Sequence, residues 1–142
     1  MFNRILLCAD ASEHALRAAD YVIALQKRLG TAIDLHLLNV QRPLSGYVSR
    51  FVGKGALQQH HQDSGLKVLE RARARLDASG LPYTHHVLVG DPGKMISQYA
   101  KEKGCDTIVM GRRGVGSYTG GQLGSVAHKV LHEAEPPVVL VK

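Results

Sequence analysis

The feature that most constrains the fold is a regular alternation between short apolar runs and longer segments of helical periodicity. Strands separated by helices of about ten or more residues form right-handed crossovers and a parallel sheet covered on both faces. We therefore predict an α/β fold with an open, parallel, Rossmann-like sheet of five strands and helices on both faces. The predicted strands cover residues 5–9, 32–40, 83–89, 107–110 and 138–141.

Turn and capping residues separate these segments. Ser12 is a suitable N-cap for the first helix, and Asp91 followed by Pro92 predicts the start of another. A long helix is predicted over 57–78, interrupted by Gly65, which costs about 1 kcal/mol relative to alanine. The last helix is predicted from Val126 to Glu133.

Residues 41–54 contain proline and glycine and are predicted to form a mobile connection. This connection does not divide the chain, because neither half could bury its own sheet. We predict one domain over residues 1–142.

Composition argues against several classes of partner. The net charge is +6, but the basic residues are scattered and aromatic residues make up 5% of the chain, so nucleic acid is not favoured as a partner. No apolar run approaches the roughly 20 residues that span a bilayer, and we expect no membrane partner. The first residues lack the features of a secretion signal, so a cytoplasmic location is expected.

Cysteine and histidine give little sign of a metal site. Cys8 and Cys105 lie in apolar stretches without redox or zinc spacing and are predicted to be reduced, buried thiols. His128 and His132 have a spacing that can seat a metal, but no third ligand lies near in sequence. Two pairs of adjacent histidines are predicted to be solvated, and they occupy positions 60–61 and 85–86.

The segment most suited to chemistry runs from Gly111 to Ser125, between a predicted strand and a helix. Glycine lets backbone N–H groups converge on an anion, and the start of a helix favours negative charge. Arg112 and Arg113 could neutralise phosphate oxygens, and the Ser125 hydroxyl adds a donor. The segment predicts a phosphate-binding loop, with a plain surface loop as the alternative. It is not a P-loop, since no Gly-Lys-Ser/Thr occurs, and the dinucleotide fingerprint is missing after the first strand.

The spacing Gly111-x2-Gly114-x9-Gly124-Ser125 resembles the nucleotide-binding signature of the ATP-binding subgroup of universal stress proteins. The resemblance extends over nearly the whole chain. It includes the opening strand with its acidic turn, the fourth strand and the final strand, which occupy residues 4–12, 104–111 and 136–141.

This resemblance implies the strand order 3-2-1-4-5 and ATP, or another adenine nucleotide, as ligand. Asp10 would contact the ribose or, indirectly, a Mg²⁺ ion held by the nucleotide phosphates. Ala9 and Val40 would flank the adenine. The full implied binding set is Ala9, Asp10, Val40, Met110, Gly111, Arg113, Gly114, Gly124, Ser125 and Val126.

The implied function is that of a regulatory, stress-response nucleotide-binding homodimer. Dimerisation would pair the last strands, formed by Val138, Val139, Leu140 and Val141. Two alternatives remain open, a slow Mg²⁺-dependent ATPase that uses Asp10 and a nucleotide-free dimeric scaffold. No catalytic residue is predicted, because the motif supplies a single carboxylate and phosphoryl transfer needs further groups. The sequence does not decide between ATP, ADP and AMP.

Overall fold

The computed structural model describes residues 2–113 and 123–142. The structure has five strands, which are β1 (Arg4–Cys8), β2 (Asp34–Gln41), β3 (Tyr83–Val89), β4 (Thr107–Gly111) and β5 (Val138–Val141). They form one parallel sheet in the order β3-β2-β1-β4-β5, which confirms the predicted fold and strand order. The helices are α1 (Glu13–Leu29), α2 (Gly46–Ser49), α3 (Lys54–Ser79), α4 (Pro92–Lys103) and α5 (Ser125–Glu133).

Two apolar clusters cover the two faces of this sheet. Alternate residues of β1 belong to different clusters, with Ile5 and Leu7 on one side and Leu6 and Cys8 on the other. Helices α1 and α3 supply the first cluster, and α4 and α5 supply the second. Strand β1 lies at the centre, so its carboxyl end opens between the two layers.

The predicted helix boundaries rest on observed caps. The Ser12 hydroxyl accepts a hydrogen bond of 3.2 Å from the Ala15 amide at the start of α1. The Asp91 carboxylate accepts one of 3.2 Å from the Lys94 amide at the start of α4. Helix α1 is followed by Gly30 in the left-handed conformation, which is a common way for a helix to end.

Helix α3 passes so close to strand β3 that Gly65 has no room for a side chain. A Cβ at this position would lie 2.3 Å and 2.7 Å from the two methyl carbons of Val87 and 3.0 Å from its Cβ. The glycine that interrupts the helical pattern is therefore explained by packing against the sheet.

Two expectations require correction. The connection at 41–54 contains the short helix α2, and α3 begins at Lys54, because Ser45 and Gly53 have the extended ψ values of helix N-caps. His61 is buried, with 6% of its surface exposed, because it faces inward from α3, whereas His60 is exposed as predicted.

Both cysteines are free thiols and buried, as predicted. Cys8 ends β1, and Cys105 lies two residues before β4. Burial raises the pKa of the Cys105 thiol to about 11 and raises that of Cys8 further above its ordinary value. Over residues 2–113 and 123–142, none of the helices has both the length and the apolar character needed to cross a bilayer.

Candidate functional site

A cleft of about 350 Å³ opens at the carboxyl ends of β1 and β4. This volume is within the usual range for small-molecule sites, and the ends of parallel strands are where open α/β sheets bind ligands. Nine of the ten predicted binding residues line it: Ala9, Asp10, Val40, Met110, Gly111, Arg113, Gly124, Ser125 and Val126. The tenth, Gly114, lies outside the described residues. The cleft therefore brings together positions that are more than a hundred residues apart in sequence.

The acidic turn after β1 is fixed by local hydrogen bonds. The Ala9 amide donates to the Leu38 carbonyl at 2.9 Å, which extends the β1–β2 pairing by one step. The Asp10 carboxylate accepts a 2.9 Å hydrogen bond from the Ser12 amide. This bond holds the carboxylate at the cleft beside the start of α1.

On the other side of the cleft, α5 begins at Ser125 with Gly124 as its N-cap. The Gly124 amide donates to the Arg112 carbonyl at 3.0 Å, which ties the start of the helix to the end of β4. No side chain of the described residues caps this helix. Ser125 and Val126 line the cleft, so the first turn of α5 brings to it backbone N–H groups that have no acceptor within the helix. An anion in the cleft could accept hydrogen bonds from them.

Gly111 lets β4 and α1 approach each other at the edge of the cleft. A Cβ on Gly111 would lie 2.6 Å from the His14 Cβ and 3.0 Å from the His14 carbonyl carbon. The second contact is with backbone, so a side-chain rotation cannot relieve it. Any larger residue at this position would displace one wall of the cleft.

The electrostatic environment at this wall is positive. Burial lowers the pKa of His14 below its ordinary value, and the nearby charges of Arg17, Arg113 and Arg112 lower it further. A cluster of cations that disfavours another positive charge also attracts an anion. The wall formed after β4 is therefore suited to phosphate.

Sequence reasoning missed two polar residues of the cleft, Asn39 and Arg42. Asn39 is buried, and its side-chain amide donates to the Ala9 carbonyl at 2.9 Å. Its carbonyl oxygen accepts a 2.7 Å hydrogen bond from the Gln41 side chain. An amide that interrupts the apolar run of Leu37, Leu38 and Val40 was the signal that could have identified it.

Arg42 belongs to an ion-pair group at the rim of the cleft. Its guanidinium lies 3.9 Å from the Asp91 carboxylate, which also receives the Lys129 ammonium at 2.7 Å. The hydrogen bond from Lys129, and then that from the Lys94 amide, hold the pKa of Asp91 below its usual value. One carboxylate thus connects the end of β2, the start of α4 and the middle of α5.

Metal-ligating groups are sparse here. Asp10 is the one carboxylate among the described residues that line the cleft. No cluster of three histidine, cysteine, aspartate or glutamate residues suited to a metal occurs in the described part of the chain. The rings of His128 and His132 lie 4.7 Å apart on α5, a pair without a third ligand among those residues.

Known proteins share this sequence pattern and this architecture. The model of the "Universal stress protein family" matches residues 1–142. The chain is 32% identical over 150 residues to the universal stress protein YxiE of Bacillus subtilis, covering all of both chains. It resembles the solved structure of MJ0577 from Methanocaldococcus jannaschii with a TM-score of 0.84 and 28% identity, covering 100% of this chain and 96% of that one.

Two more distant structures of the same fold were solved with nucleotides. The Archaeoglobus fulgidus universal stress protein in complex with dAMP has a TM-score of 0.69 at 20% identity, covering 100% of this chain and 98% of that one. An Arabidopsis thaliana family protein with AMP bound has a TM-score of 0.68 at 23% identity, covering 99% and 91%.

Proposed function

This chain belongs to the universal stress protein family, and from that premise we propose that it binds ATP in the cleft at the ends of β1 and β4. The observation that carries the proposal is that nine residues selected from the sequence line this one cleft. Complexes of distant members with AMP and dAMP support an adenine nucleotide as the ligand class.

The lining of the cleft combines two kinds of chemistry that suit a nucleotide. Ala9, Val40 and Met110 supply apolar surface that fits a base. Gly124 and Ser125 bring the start of α5 to the cleft, where phosphate oxygens would accept hydrogen bonds from the backbone. Arg113 adds a positive charge that favours more than one phosphate.

Asp10 would contact the ribose or a Mg²⁺ ion that the phosphates bring with them. Mg²⁺ is usually bound through one or two carboxylates together with substrate phosphates, so one carboxylate fits this indirect role. It does not supply the positioned water and additional metal ligands that fast hydrolysis needs. We therefore assign binding, and not turnover, to the site.

Calorimetric titration with ATP, ADP and AMP, with and without Mg²⁺, tests the proposal. We expect heat of binding for ATP and at least a tenfold loss of affinity in Gly124→Val, because the new side chain would obstruct the start of α5. Gly55→Val is the matched control, since a Cβ at Gly55 meets nothing within 4 Å. Absence of binding to the wild-type protein at millimolar ATP would exclude the proposal.

Hydrolysis is tested separately by phosphate release. Purified protein should release no more phosphate from ATP than a mock preparation. Turnover that Asp10→Ala abolishes would instead support the slow ATPase.

We propose further that the protein acts in the cytoplasm as a homodimer, joined through β5, with a regulatory role in the stress response. Strand β5 is at the edge of the sheet, and all four of its apolar residues remain partly exposed. An uncovered apolar edge strand readily pairs with another strand. The two free, buried thiols are compatible with a reducing compartment.

Sedimentation velocity tests the dimer. Val141→Lys should shift a dimer toward monomer, because it places a charge in the proposed strand pairing. Val89→Lys, at the opposite edge strand, is the matched control and should leave the dimer intact. A wild-type monomer at all concentrations, or an equal effect of both variants, contradicts pairing through β5.

A further inference from the structure

The segment between β2 and α3 carries an amphipathic pattern that the nucleotide cleft does not use. Ser45 caps α2 by accepting a 3.3 Å hydrogen bond from the Val48 amide. After α2, two turns closed by hydrogen bonds from the Phe51 and Val52 amides extend to residue 52. Its apolar residues recur at helical spacing, at Leu44, Tyr47, Val48, Phe51 and Val52. We call residues 44–52 the amphipathic turn.

The apolar stripe of the amphipathic turn is largely uncovered. The exposed fractions of Tyr47, Val48 and Phe51 are 73%, 43% and 75%, and α2 contains no buried residue. The rings of Tyr47 and Phe51 contact each other edge to face, with centroids 5.4 Å apart. The two most exposed large apolar residues of the described chain therefore form one projecting patch.

The charged side chains in this stretch of the sequence have one sign. No aspartate or glutamate occurs between residues 35 and 62, whereas Arg42, Arg50 and Lys54 do. Arg42 faces Asp91, but neither Arg50 nor Lys54 forms an ion pair with another residue of the described part of the chain. The patch thus combines aromatic side chains with cations that have no neutralising partner in that part of the chain.

We propose that the amphipathic turn docks the protein onto an anionic lipid surface, with Tyr47 and Phe51 entering the headgroup region and Arg50 and Lys54 facing lipid phosphates. Aromatic side chains prefer the membrane interface, and each nearby cation is attracted to anionic lipid. The contact is peripheral and reversible. It revises the sequence-based expectation of no membrane partner, which considered spanning segments alone.

Other occupants fit the patch less well. A second copy placed patch to patch would set Arg50 and Lys54 against the same cations. A stable polypeptide interface buries roughly 800 Å² on each partner, which exceeds what three exposed side chains provide. Single-stranded nucleic acid needs accessible ring faces for stacking, but the Tyr47 and Phe51 rings meet at 68° and occlude part of each other.

Co-sedimentation with vesicles tests the proposal. The full chain is incubated with vesicles of phosphatidylcholine alone or of equal parts phosphatidylcholine and phosphatidylserine. We expect binding to the mixed vesicles, little to the neutral ones, and weakening as salt rises. Tyr47→Ser/Phe51→Ser and, separately, Arg50→Glu/Lys54→Glu should each reduce partitioning at least tenfold.

Two control variants match these changes elsewhere on the surface. Lys27→Glu/Arg28→Glu makes the same change in net charge at the end of α1, and Tyr21→Ser/Leu131→Ser removes two other exposed apolar side chains. Both should bind vesicles like the wild type. Thermal melts establish that every variant is folded, and hydrogen exchange of amides 46–52 should slow on binding.

Three results would overturn the proposal. Failure of the wild type to sediment with the mixed vesicles excludes a lipid partner and leaves an acidic polypeptide as the class to examine. Equal loss in the Lys27/Arg28 variant shows attraction by net charge alone. A change of oligomeric state in Tyr47→Ser/Phe51→Ser shows that a second copy covers the patch. None of these results bears on nucleotide binding.

Discussion

Replacing Gly65 with alanine should destabilise the protein, although the same exchange in an open helix stabilises. The position lies within α3, where a Cβ would come within 2.3 Å of one Val87 methyl carbon and 3.0 Å of the Val87 Cβ. Rotation of Val87 moves its methyl groups but not its Cβ. The helix and β3 would therefore have to separate.

The expected magnitude follows from two opposing terms. Alanine is favoured over glycine in a helix by about 1 kcal/mol. Overpacking a close contact costs about 1–3 kcal/mol. The net effect of Gly65→Ala is a loss of up to about 2 kcal/mol in the free energy of unfolding. Gly55→Ala in the same helix, with open space around it, should gain up to about 1 kcal/mol.

Urea unfolding followed by circular dichroism measures both variants. Val87→Ala removes the obstructing methyl groups. The double variant Gly65→Ala/Val87→Ala should therefore lose less stability than the sum of the losses in the two single variants. The expected coupling is about 1–3 kcal/mol. If Gly65→Ala stabilises as much as Gly55→Ala, or if the double variant is additive, close packing is not the reason for this glycine.

Three further predictions concern the cleft and the ends of the sheet. Gly111→Ala should weaken ATP binding at least tenfold in calorimetry, because its Cβ would meet the backbone of His14 at 3.0 Å; unchanged affinity would show that this wall can move. Asn39→Leu should cost about 1–3 kcal/mol in urea unfolding by leaving the buried Ala9 carbonyl without its donor, and a smaller loss would indicate that water replaces the amide. Burial alone would raise the pKa of Asp106, but hydrogen bonds from two backbone amides and a hydroxyl hold that pKa below its ordinary value of 3.8. The Asp106 carboxylate therefore stabilises the fold above pH 3.8, and this stabilisation is lost as the pH falls through the pKa of the folded state. Asp106→Asn should lower stability at neutral pH and flatten its decline in acid, as measured by melting temperature against pH.

The architecture was predictable because its signals are local. Apolar runs such as 5–9 mark buried strands, and caps such as Ser12 and Asp91 mark helix starts through hydrogen bonds within one turn. The position of the cleft was predictable because the order of the parallel strands brings the carboxyl ends of β1 and β4 together. The identity of its lining residues came from the resemblance to a known family, and the fold brings nine of them to one cleft.

What escaped prediction depends on contacts between distant segments. Gly65 looks like a defect in a helix until Val87, 22 positions later, is placed beside it. His61 looks like a surface residue because its neighbours are polar, yet α3 turns it inward. Asn39 looks like an interruption of an apolar run, and its role depends on the carbonyl of Ala9, which directly follows the adjacent strand β1.

The carboxylate of Asp91 has two structural roles, capping α4 and pairing with Lys129, and these roles have different chemical requirements. Serine or asparagine could cap α4 as well, since a cap needs only an oxygen. Neither could form an ion pair with the Lys129 ammonium, since that interaction needs a negative charge. In related sequences that carry a neutral cap here, we therefore expect the lysine on the neighbouring helix to be exchanged too, so the two positions should vary together.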